Sequence, residues 1–67
     1  MYIIKWTNKF SGETGYVESI SAKEKHFNNT YDISAAKRYS LRSAKGAVTN
    51  LTSYGEAENN TFELISV

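Results

Sequence analysis

The 67 residues contain no cysteine, no proline and a single histidine, His26. Domains this small often lean on disulfides or a structural metal, and neither a disulfide nor a zinc cage is available here. No apolar run approaches the roughly 18 residues that a membrane span needs. Met1 leads into Tyr2, Ile3 and Ile4 without the basic region and long apolar stretch of a signal peptide, so a cytoplasmic location is expected. A dominant charge is missing too: eight Lys and Arg stand against seven Asp and Glu, and a net charge of +1 names no partner. With no internal repeat, no low-complexity stretch and no linker, one domain is expected over residues 1–67.

Aromatic residues are plentiful instead: five Tyr, three Phe and one Trp. A chain of this size buries only roughly 60% of its unfolded surface. Each aromatic ring can bury about 150–250 Å². Aromatic packing or self-association therefore has to supply what disulfides and metals do not.

The patterning predicts an α+β fold. Tyr2, Ile4 and Trp6 alternate with Ile3, Lys5 and Thr7 in a run of strong strand formers. The turn signal NKFSGETG follows, and Tyr16–Ser21 then offers a second strand with Tyr16 and Ile20 on one face and Val17 on the other. HFNNTY, with Phe27 and Tyr31 on one face, reads as a third short strand or an extended connection. Asp32 suits the N-cap of a short helical turn over 33–38, which would point Ile33, Ala36 and Tyr39 inward.

The main helix is expected at about 41–54. Leu41, Ala44, Ala47, Val48, Leu51 and Tyr54 recur at the spacing of one buried face, Ser40 can cap the start, and Gly55 suits the left-handed position past the end. Gly46, on the polar side of this helix, hints at close approach by another group. After the loop EAENN, Thr61–Val67 carries apolar residues on both faces and reads as a central or well-covered strand returning beside the first. The expected architecture is ββ(β)αβ: a small antiparallel sheet of three to four strands with the helix on one face.

No constellation of catalytic type stands out. His26 has no partner evident in the sequence and reads as a surface or edge residue. Glu56, Glu58 and Glu63 lack the spacing of a cation-binding loop, and SGETG lacks the lysine of a phosphate-binding one. No catalytic, cofactor or metal site is assigned. The charge is uneven, however: Lys37, Arg38, Arg42 and Lys45 are the only charged residues of 35–55, and Glu56, Glu58 and Glu63 the only ones of 56–67. The four cations form a candidate nucleic-acid surface, on which exposed Tyr39 or Trp6 rings would stack on bases. A pI of about 8.0 is below that of dedicated basic domains, so such binding is expected to be weak.

The leading reading is a non-enzymatic interaction domain. Nine rings exceed what a short sheet hides easily, and Trp6, Phe10 and Tyr16 are the candidates for an exposed protein-binding patch. An unpaired sheet edge would also favour a second copy of the chain as partner. The segments YIIKW, DISAAKRYS, SAKGAVTNL and TFELISV give the chain a loose resemblance to small uncharacterised proteins encoded in phages and prophages of low-GC Gram-positive bacteria. That resemblance implies a ββαβ-type accessory protein, a size class in which some members bind host proteins such as nucleases or polymerases. It carries over no functional residue.

Overall fold

Alternation along the first strand decides where the core lies. In β1 (Tyr2–Asn8) Ile4 and Trp6 share a face and are 0% and 7% exposed, and onto that face packs helix α1 (Leu41–Ser53) with Ala47 and Leu51. In this computed structural model, which describes residues 1–67, β2 (Thr14–Ser21) and β3 (His26–Thr30) follow β1. A 3-10 turn over Ile33–Ala35, α1, a second 3-10 turn over Glu56–Glu58 and β4 (Asn60–Ser66) complete the chain. All pairings are antiparallel, in the order β3-β2-β1-β4. The α+β class and the ββ(β)αβ order expected from the sequence are present, with residues 26–30 paired as the third strand. No helix is long and apolar enough to cross a membrane.

Helix α1 is bounded by its caps. The Ser40 side chain accepts from the Ser43 N–H, and Gly55 takes the left-handed conformation (φ 86°) just beyond the last turn. Ala44, Ala47 and Leu51 are buried, with Val48 and Tyr54 packed against the core. Leu41, the first residue of the helix, departs from the expected buried face and is 44% exposed. The hint of a close neighbour at Gly46 also fails, since a Cβ there would meet nothing within 4 Å.

A β-bulge changes the faces of β2. The β2–β3 register shifts between Val17 and Ser19, so Val17 and Ile20 both pack on the core side while Tyr16, paired with Lys5, lies on the opposite face. The expected grouping of Tyr16 with Ile20 assumed unbroken alternation and does not hold.

Past the bulge, β2 leaves β1. The two strands pair only over Thr14–Tyr16 and Lys5–Thr7, and the Val17 carbonyl instead accepts from the Lys37 N–H at 3.1 Å. Tyr39 exchanges two backbone hydrogen bonds with Tyr2, at 2.7 and 2.8 Å. Residues 36–39 therefore run extended as an infill between the diverging strands. That corrects the expected helical turn: only Ile33–Ala35 is helical, Ala36 has ψ 136°, and Ile33 is 53% exposed, whereas Ala36 is buried and Tyr39 packs on the core.

β4 is an edge strand and not a central one; it pairs with β1 from Tyr2↔Ser66 to Asn8↔Asn60. Its apolar residues on both faces are explained by β1, which buries Ile4 on one side and Ile3, opposite Ile65, on the other. Flat packing at about 4.8 Å per strand would hold the outer strands roughly 14 Å apart. Yet the rings of Phe27 on β3 and Phe62 on β4 meet edge to face at 5.8 Å. The sheet is rolled around its helix-bearing face.

Candidate functional site

Rolling brings residues from distant parts of the chain around one cleft of about 270 Å³. Trp6 of β1 forms its base. Phe27 and Tyr31 stand against the indole with ring centroids at 6.4 and 6.1 Å and interplanar angles of 54° and 63°. Aromatic rings at these separations attract edge to face, each contact adding about 0.5–1.5 kcal/mol to simple burial. On the outer side the His26 ring stacks on Phe27 at 5.6 Å.

The indole sits where it does because position 15 is glycine. A Cβ there would lie 2.6 Å from Trp6 Cζ2. The indole Nε1–H, although buried, has no acceptor. Leaving a buried donor unpaired costs about 1–3 kcal/mol, a cost that a phenylalanine at this position would not incur.

The polar rim is built by the β1–β2 turn on one side and the second 3-10 turn on the other. Asn8 Oδ1 accepts from the N–H groups of Phe10 and Ser11, each at 2.9 Å, and Gly12 takes φ 75° to complete the bend. The Asn8 N–H donates to the Glu13 carbonyl at 2.8 Å, which sets the place of the Glu13 side chain. The Tyr31 hydroxyl donates to Glu13 Oε2. That hydrogen bond is the main cause, with desolvation and the Glu13 charge behind it, that raises the Tyr31 pKa above its ordinary 10.0 and keeps the phenol a neutral donor.

Opposite, Glu56 Oε1 lies 2.9 Å from His26 Nδ1. The Glu56 side chain is 19% exposed against 59% for His26. The 3-10 turn that carries Glu56 is tied to the β1–β2 turn by the Lys9 ammonium, which donates to the Ala57 carbonyl at 2.6 Å, and by the Lys9 N–H, which donates to Asn59 O at 2.8 Å. Asn29 and Asn60 complete the lining, which contains no lysine or arginine.

Of the aromatics singled out from the sequence, only Trp6 belongs to the cleft, as a nearly buried base and not as an exposed ring. Phe10 is 82% exposed at the β1–β2 turn, and Tyr16 lies on the far face of the sheet, so the three are not brought together. Lys37, Arg38, Arg42 and Lys45 are exposed and none has a carboxylate partner. Lys37 Nζ lies over the Tyr39 ring at 5.4 Å, and Tyr39 is partly buried against the core, so neither it nor Trp6 is free to stack on a base.

His26 does sit on an outer strand, exposed, as expected, but its partner is Glu56, thirty residues further on, and not the neighbouring Glu24. No three His, Asp or Glu side chains lie close enough together to hold a metal ion. Glu13, Tyr31 and Glu56 escaped the sequence reading because a hairpin turn, a strand end and a post-helical turn converge only once the sheet rolls. The one available signal was the shared face of Phe27 and Tyr31. No family model matches the chain, and no curated protein or solved structure matches it.

Proposed function

We propose that the protein is a non-enzymatic interaction domain that binds a protein partner at the Trp6–Tyr31 cleft. The observation that carries this reading is the composition of the cleft: aromatic rings below, carboxylates and amides around the rim, and no side chain suited to nucleophilic attack. His26 and Glu56 have the spacing of a base and its orienting carboxylate. A base without a serine, cysteine or lysine to activate lacks the centre of covalent catalysis. The Tyr31 hydroxyl is engaged with Glu13, and phosphate-bearing substrates would face two carboxylates and no lysine or arginine in the lining.

Tyr31→Ala and Glu13→Ala, both at exposed positions, test this directly. A partner captured by the wild-type domain should be lost by both variants while far-UV circular dichroism shows the same fold. Retention by both variants would overturn the reading, and so would a turnover that disappears with His26→Ala.

A second reading rests on the four unpaired cations Lys37, Arg38, Arg42 and Lys45. Arg42 and Lys45 lie three residues apart on α1 and share a face. Weak nucleic-acid binding there would show a slope of about −3 to −4 in log affinity against log salt. Charge reversal at Arg38 and Arg42 should abolish it, and an unchanged affinity would remove this reading.

A further inference from the structure

We infer that the cleft takes a guanidinium group, the arginine side chain of a protein partner; this rests on the interaction-domain reading above. Size argues first. Sites for small molecules span roughly 300–1,000 Å³. A cleft of about 270 Å³ lies at the bottom of that range and has room for one long side chain.

Charge argues second. Glu13 and Glu56 stand on separate turns, and each spends one oxygen inside the domain, Oε2 on Tyr31 and Oε1 on His26. Glu13 Oε1 and Glu56 Oε2 have no hydrogen-bond partner, and no Lys or Arg lies within the lining to neutralise them. The amide oxygen of Asn60, whose amide nitrogen donates to the Glu56 carbonyl, adds a further acceptor. An anion would meet this rim unfavourably.

The rings decide between cations. A tyrosine face attracts cations through its quadrupole. A guanidinium is planar, weakly hydrated and carries five N–H donors, so it can stack on a ring while donating to carboxylates at its edge; an ammonium is a compact, strongly hydrated point charge. Trp6 and Phe27 are each 7% exposed and form the floor, so the ring face open to an incoming cation is that of Tyr31, 64% exposed and bonded to Glu13; that ring beside two free carboxylate oxygens matches the planar ion.

Trp6 is the only tryptophan, so its emission reports on the cleft without a label. The probes are acetyl-Gly-Arg-Gly-amide and the same peptide with citrulline, the neutral isostere, or lysine in place of arginine. The arginine peptide should change Trp6 emission saturably, and the citrulline peptide should bind about tenfold more weakly, as should the arginine peptide on a Glu13→Gln/Glu56→Gln variant. Equal binding of arginine and citrulline peptides, equal binding of lysine and arginine peptides, or an unchanged affinity in the double variant would overturn the inference.

A random linear peptide library selected on the wild type and counter-screened on Tyr31→Ala separates this from the reading beneath it. Cleft-dependent binders that carry arginine support both. Cleft-dependent binders without arginine overturn the guanidinium inference and leave the docking site standing, and a library with no cleft-dependent binder overturns both.

Discussion

Trp6 lies so close over Gly15 that an added Cβ would sit 2.6 Å from its Cζ2, 2.7 Å from Cε2 and 2.8 Å from Nε1. Phe27 and Tyr31 press on the same indole from other sides, so the ring has little room to retreat. Gly15→Ala is expected to cost about 1–3 kcal/mol, the usual range for overpacking. Urea unfolding checks this: the midpoint should fall with the slope unchanged, and the Trp6 emission should shift in the native baseline. An unchanged midpoint would mean that the indole moves freely.

Gly46 is the opposite case. It lies in the interior of α1, exposed, with open space where a Cβ would go. Gly46→Ala should raise stability by about 1 kcal/mol through backbone entropy alone. For a domain of this size that is a rise in Tm of about 4–8 °C. A fall in Tm on thermal melting would contradict it.

The His26–Glu56 pair joins β3 to the turn before β4, but His26 is 59% exposed. A double-mutant cycle with His26→Ala and Glu56→Ala should therefore return a coupling of about 0.2–1 kcal/mol, as exposed pairs do. A coupling well above that range would show the pair to be shielded from solvent.

Asp32 caps the first 3-10 turn, accepting from the Ser34 hydroxyl at 2.7 Å and the Ser34 N–H at 2.9 Å. Those two bonds, the hydroxyl first, hold its pKa below the ordinary 3.8. Between the folded and unfolded values the unfolded chain binds more protons, so stability rises with pH across that window. The contribution is complete above 3.8 and is lost as pH falls through the folded value. Asp32→Asn should flatten this acid limb in stability measured against pH, and an identical limb in both proteins would assign it to other carboxylates.

Local chemistry made much of the fold legible. Alternation in residues 2–7 marked β1, and Ser40 with Gly55 marked both ends of α1. What escaped depends on tertiary packing. Nothing in TGYVESIS announces the bulge that carries Ile20 to the same side as Val17. The infill by residues 36–39 exists because β2 departs from β1, a gap that local propensity does not register. Periodicity placed Trp6 on one face with Tyr2 and Ile4 but did not show that face to be the buried one, and so grouped Trp6 with Phe10, which solvent surrounds at the turn, as an exposed ring. The cleft was the least legible part, since its rim is assembled by sheet curvature.

The pairing of β1 with β4 carries a consequence for how the molecule assembles. Tyr2 lies opposite Ser66, and the Val67 N–H donates to the Met1 carbonyl at 2.9 Å. The longest strand pairing thus closes a loop of nearly the whole chain, whereas the β2–β3 hairpin forms between near neighbours. Closing the longer loop costs more entropy, and a two-stranded hairpin alone is marginal in water. Assembly should therefore be slow for the size and all-or-none, with the last strand as the closing step. Because the two ends of the chain lie side by side, a circular permutant that joins them through a short bridge and opens at the exposed β2–β3 turn would turn that last, distant pairing into a local one.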